Sequence, residues 1–213
     1  MYTDNSLVVA GGVTVAGAIT YQTPTLTANA TTISTNTIDL GLARDVGEGL
    51  DLFMRVLVGA AFTATAACTV EFQAVTAQDA ALSANVMVIA SSGPVPVSNT
   101  TSVSGGSFVP GATYIVTSVG TTNFSLIGGS NTVGSIFTAT GVGSGSGTAT
   151  LSGLTAGTRL AVSINPSIGS KSQRYMGVRF VLVGTLLTGS AFIDFGLEIQ
   201  EGQKYYPGGF AIL

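Results

Sequence analysis

The chain is 213 residues long and carries seven basic residues, ten acidic residues and no histidine, for a net charge of −3. Charged side chains are 8% of the total, against about 25% in ordinary globular proteins; so sparse a basic set cannot build the positive track that phosphate neutralisation needs, which excludes nucleic acid as a partner. Without histidine the commonest general base and metal ligand is missing, and a lone cysteine, Cys68, leaves no internal disulfide.

The first segment, SLVVAGGVTVAGAIT, is free of charge but falls short of the about 20 apolar residues a membrane span requires, and Gly and Thr interrupt it. Asp4 stands where a signal peptide would be basic, so neither a targeting segment nor a membrane partner is expected. With the repetitive TYQTPTLTANATTISTNT after it, residues 1–36 read as an extended N-terminal arm or as the first strands.

The charge of the chain gathers next, in IDLGLARDVGEGLDLFMR. Three chemistries compete for it. An acidic active site lacks a base partner. A calcium loop would place oxygen ligands at alternating positions, whereas Asp45, Glu48 and Asp51 are spaced by three. A docking loop fits better: Arg44 beside Asp45, among glycines at 41, 47 and 49, presents both signs of charge in a tight turn, and opposed charges select partner and register.

From residue 51 onward, period two dominates. In LDLFMRVLV, Leu52, Met54, Val56 and Val58 share one face and Asp51, Phe53, Arg55 and Leu57 the other; in TVEFQAV, Val70, Phe72 and Ala74 oppose Glu71 and Gln73. NVMVIAS, RLAVSINP, RYMGVRFVLVG and AFIDFGLEIQ extend the series, punctuated by Gly, Pro and Asn, and AQDAALSANV has room for one short helical turn. Cys68, in TATAACTVEF, reads as a small apolar side chain at a strand start. Many short half-buried strands predict an all-β fold, a jelly-roll-like antiparallel sandwich, with its core in 37–104 and 153–213.

Between Ala80 and Thr158 no Asp, Glu, Lys or Arg occurs, and Gly-Gly and Gly-Ser runs bound the middle of this stretch. Residues 105–152 therefore read as a small inserted β-meander, with TYIVTSV, SIFTAT and GTATLSG as strands and GGSN and GVGSGSG as turns. GVGSGSG is no phosphate cradle, since no Lys and no helix start come after it.

Catalytic pairs are scarce. Asp194 and Glu198 share a strand face, yet four residues along one strand separate them by about 13 Å, beyond the range of two carboxylates flanking a glycosidic bond; a solvated face is the expectation for both. No catalytic residue, metal site or cofactor is predicted, and the protein is not expected to be an enzyme.

STNTIDLGLARDVGEG, AFTATAACTVEFQAVTAQDAAL, ASSGPVPV, AGTRLAVSINP and QRYMGVRFVLVGTLLTGS, in that order, resemble successive segments of the tailed-phage capsid cement, or decoration, proteins, typified by the cement protein of a Bordetella podophage. PGATYIVTSVGTTNFSLIGGSNTVGSIFTATGVGSGSGTAT is similar to a mobile β module of phage virion proteins. The resemblance implies a jelly-roll subunit, made in the host cytoplasm, that forms a homo-oligomer on the outside of the virion and clamps neighbouring major capsid proteins, with the insertion protruding. Dimer and trimer both stay open. On that reading Arg44, Asp45, Glu48 and Asp51 form the register loop, and Phe53, Arg55, Leu57, Tyr175, Arg179 and Val181, on outer strand faces, add contact surface. A carbohydrate-binding or host-surface-binding sandwich is the rival, and six Tyr with no Trp give it few stacking platforms; a small hydrolase is a further one, short of bases.

Overall fold

The structure, a computed structural model, describes residues 7–14, 16, 18–42, 52–164 and 171–197. Alternating apolar residues make strands with one face to bury, and two sheets bury theirs against each other. In the first sheet β1 (Val8–Ala10) pairs with β17 (Thr188–Leu197), β17 with β6 (Leu52–Ala64), and the far side of β6 carries β15 (Arg159–Ile164) and, in parallel, β10 (Ser98–Asn99). In the second sheet β4 (Thr31–Ile33) and β5 (Ile38–Asp39) pair with successive parts of β16 (Tyr175–Val183); β16 pairs with β7 (Thr69–Ala77), and β7 with β8 (Met87–Ser91) and β9 (Val95–Pro96). The chain switches sheets between β1 and β4, between β5 and β6, between β6 and β7, between β9 and β10, and on each side of β16, giving the expected jelly-roll-like sandwich.

The inner faces are those read from the alternation. Met54, Val56 and Val58 meet Val70, Phe72 and Ala74, with Val178 and Phe180 from β16 and Ile193 and Phe195 from β17, all at most 2% exposed. Phe72 stands edge-on to Phe62 of the opposite sheet, at 6.0 Å and 85°, and to Phe180 of its own, at 5.6 Å and 66°. Aromatic pairs of this geometry add about 0.5–1.5 kcal/mol each beyond the area they bury.

The N-terminal arm closes one flank of the sandwich. β1 is fully buried at the edge of the first sheet, and β4 and β5 occupy the edge of the second. Gln22, 8% exposed, ties the two edges: its backbone exchanges hydrogen bonds with Ala191 at 2.9 Å each, its side-chain amide donates to the Ile33 carbonyl at 2.7 Å, and its Oε1 accepts from the Thr35 N–H at 2.9 Å. The Asn36 N–H donates to the Val9 carbonyl at 2.9 Å. Between these anchors β2 (Gly12–Val13) and β3 (Ile19–Thr20) form a small hairpin, and the Tyr21 ring lies against Gly59, where a Cβ would stand 2.3 Å from it. Only glycine leaves room for that ring.

The charge-free stretch builds a sheet of its own from β11 (Ser102–Ser104), β12 (Thr113–Ser118), β13 (Ile136–Thr138) and β14 (Thr148–Leu151). Its order, β11-β14-β12-β13, is not a meander: β14 returns between β11 and β12, so the glycine-rich 141–147 stretch crosses the module instead of turning a hairpin. Phe108, Tyr114, Phe124 and Phe137 form a buried cluster with centroid separations of 5.2–5.9 Å, joined by Val116, Ile127, Ala139 and Ala149. A core separate from that of the sandwich explains how so short a segment holds a fixed shape. The strands by which the chain enters and leaves are neighbours, Ser102 opposite Thr150. Between module and sandwich lies a cleft of about 310 Å³, lined by Val95, Pro96, Ala112, Leu151, Leu154 and Leu160.

Where a helical turn had room, at 78–86, the chain makes turns, with Leu82 and Asn85 at positive φ. Asp79 organises them, its carboxylate accepting from the Ser83 and Ala84 N–H groups at 2.8 and 2.9 Å. These bonds to the charged form hold its pKa below the usual carboxylate value.

Candidate docking surface

Arg44, Asp45, Glu48 and Asp51 lie outside the described residues. The other predicted contact residues fall on the two outer faces of the sandwich, where the strand period puts them, and the structure keeps them apart: Phe53, Arg55 and Leu57 on the first sheet, Tyr175, Arg179 and Val181 on the second.

On the first sheet Phe53 and Leu57 are half-buried, and Ser163 and Arg159 of β15 stand directly opposite them. Arg55 between them is committed within the chain. Its Nε donates to Asp194 Oδ1 at 2.9 Å and its Nη2 to Oδ2, across the β6–β17 ladder in which the two residues are opposite. The guanidinium lies over Gly196, where a Cβ would come within 2.6 Å of Nη2, so the missing side chain makes the bed for the arginine. Asp194 is 1% exposed and Arg55 18%. The expectation of a solvated face for Asp194 is therefore corrected: the alternation assigns the face, but β1 on one side and Arg55 on the other keep water from the carboxylate. Desolvation pushes its pKa up, against the pull of Arg55.

On the second sheet Arg179 begins a polar row. Its Nε donates to Gln73 Oε1 at 2.8 Å, the Gln73 amide donates to Glu71 Oε1 at 2.6 Å, and the Ser91 hydroxyl donates to the same oxygen at 2.5 Å. The Ser91 and Gln73 donors, aided by the Arg179 charge, hold the Glu71 pKa down. Arg179 and Glu71, opposite charges linked through the Gln73 amide, are held in position, with Ile33, Val181 and Val183 as apolar neighbours, Val183 59% exposed. Tyr175, by contrast, packs against a second-layer cluster of Val75, Ala77 and Leu82 on this outer face. Arg174, next to it, stacks 5.0 Å from the Tyr175 ring centre and grips Asp39 with two hydrogen bonds of 2.9 and 2.8 Å. The Arg174 bonds and the Gly41 N–H bring Asp39 down to about 2.

The module contributes exposed residues that sequence reasoning passed over: Val109, Leu126, Val133, Ile136 and Val142 are each more than half exposed. Alternation marks Ile136 alone, since the flanking loops carry no period. The outer face of its sheet is clad in hydroxyls, with Thr113 and Thr138 Oγ1 3.2 Å apart and Thr117 and Thr148 Oγ1 2.8 Å apart. Cys68 is buried and its thiol pKa is raised by desolvation, which suits a structural side chain. Among the described residues no helix is long and apolar enough to cross a membrane.

Hydrogen-bonded charges and half-exposed apolar residues on the strands offer surface complementarity, and kinship gives that surface a setting. No curated protein matches the chain. A sequence model described as Bbp16, a Bordetella phage protein family, matches residues 22–139, more than half of the chain, from the Gln22 tie through the sandwich strands up to β9 and β10 and on through β13 of the module. The chain therefore belongs to the Bbp16 family and is a phage structural protein built as an all-β sandwich.

Proposed function

We propose that the protein is a capsid cement subunit, which binds the outside of an icosahedral phage shell as a homo-oligomer and clamps neighbouring major capsid proteins. The family supports a virion role; the observation that carries the finer reading is the outer face of the second sheet. There a pre-bonded Arg179–Gln73–Glu71–Ser91 row lies beside Ile33, Val181 and Val183. Such a row meets a partner with its side chains already ordered, so little rotamer entropy is lost on docking, and its charges fix register. Its function is adhesion and not turnover. A stacking-based carbohydrate site is less suited to this surface, because the module's rings form its core and Tyr21, the exposed ring among the described residues, is laid on Gly59.

Co-sedimentation with assembled capsids tests the reading: binding saturates at a fixed ratio to the shell subunit, and Arg179→Ala combined with Glu71→Ala weakens it while the free protein still folds. Charge reversal at Arg44 and Asp45 is expected to cut occupancy as well, by an amount that shrinks as salt screens the repulsion. Absence of saturable binding to shells refutes the cement role.

A further inference from the structure

The two flanks of the sandwich are finished differently. The arm occupies the edges of both sheets on one flank. On the other, β15 is the edge of the first sheet, and β8, its neighbour across the sandwich, the edge of the second. The Val58 N–H donates to the Thr158 carbonyl, which sets the parity of the β6–β15 ladder. Leu160, Val162 and Ile164 turn their backbone groups to β6, while Arg159, Ala161 and Ser163 turn theirs outward. Among the described residues those outward groups meet no partner. Natural edge strands are guarded by Lys, Pro, bulges or brevity; β15 runs for six residues in unbroken register, and no charge precedes Arg159 back to Ala80. The core is also unfinished on this side, where Leu160, Val162, Ile89 and Ala90 pack against it but stay only half-buried.

We infer that β15 pairs antiparallel with β15 of a second copy of this chain, about a two-fold axis at Ala161, so that the first sheet runs on from one subunit into the next. The strand is self-complementary in that register. Outward-facing residues meet outward-facing residues, as a narrow antiparallel pair requires: Ala161 faces the partner's Ala161, and Arg159 faces the partner's Ser163. Ala161 lies on the two-fold axis, where two identical side chains must face each other and a small one does so without a clash, and the arginines, the only charges on the strand, face hydroxyls instead of each other. On the inner side Leu160 meets the partner's Val162, extending both cores and covering their half-buried rims. A single isologous contact of this kind closes at two copies and uses up the free edge of the first sheet. This pairing would supply the contact of the homo-oligomer in the proposed cement role, on which it rests in that respect, and it is formed by the free protein without the capsid.

Sedimentation of the full chain across a concentration series tests it, with a dimer expected. Ala161→Pro removes an outward N–H that β6 does not use, and should raise the dimer dissociation constant roughly tenfold or more with little change in melting. Ser163→Arg, which sets arginines opposite one another, should weaken the dimer; Ser163→Asp, which offers Arg159 a carboxylate, should tighten it, and both effects should shrink in salt. Ala161→Cys should give a disulfide-linked dimer on oxidation, because directly opposed residues in such a pair lie about 5.5 Å apart at Cα; the buried Cys68 and a cysteine at exposed Thr185 should not. A wild-type monomer at all concentrations, or a dimer indifferent to Ala161→Pro and to both Ser163 changes, overturns the pairing whether or not the protein binds capsids.

Discussion

Arg55→Met tests the account of the Asp194 site most severely. Methionine keeps an unbranched stem across Gly196 but removes the cation, leaving a carboxylate that is 1% exposed with no charge to answer it. Breaking a buried pair from one side costs about 3–5 kcal/mol, and at about 2–4 °C per kcal/mol for a chain of this size the melting temperature should fall by roughly 6–20 °C at pH 7. The loss depends on pH with a definite sign. Burial holds the folded-state pKa of Asp194 above its ordinary value, and without Arg55 it rises further. The penalty is therefore absent below the unfolded value of about 4, where both states are protonated, and grows as pH rises toward the folded value. Urea unfolding of variant and wild type at pH 4 and pH 7 should show a gap that is narrow at the first and wide at the second. Asp194→Asn, which leaves a guanidinium able to reach water, should cost less and vary little with pH, and Arg55→Met with Asp194→Leu should recover most of the loss. An Arg55→Met deficit under about 1 kcal/mol at pH 7, or one equal at both pH values, would refute a dry, paired carboxylate.

Replacing residues 101–152 by a short Gly-Ser linker should leave cooperative unfolding and the β signature in circular dichroism, because Ser102 and Thr150 are opposite one another and the module has its own core; loss of the transition would make the module part of the sandwich. Gly59→Val should displace the Tyr21 ring, and limited proteolysis should then cut between residues 11 and 21 faster than in the wild type while the sandwich strands stay resistant. Equal cleavage rates would mean that the ring does not hold the arm. Asp39→Asn should remove a stabilisation that is present above the ordinary carboxylate value of 3.8 and fades as pH falls toward about 2, so acid titrations of variant and wild type should converge over that window; curves that stay parallel would rule out the Arg174 pairing as the cause.

Much of the sandwich was legible from the chain because the side-chain period of a strand is set by covalent geometry. Met54, Val56 and Val58 had to share a face wherever β6 was placed, and Phe72 had to oppose Glu71 and Gln73. The charge-free stretch carries a sheet and a buried cluster of its own, and that sheet begins at Ser102 with β11, before the boundary read from the glycine runs. Which faces stay wet, and which strands become neighbours, was not encoded in any local pattern. Asp194 lies on the outer face as its position predicts, but a carboxylate there is dry only because Arg55, 139 residues away, lies across Gly196 and β1 pairs alongside. Tyr175 is drawn under Leu82 by a turn that Asp79 builds. The return of β14 between β11 and β12, and the bare flank at β15, likewise come from pairings between distant segments. Alternation states which way each side chain points from its own strand; only the packed chain decides what meets it there.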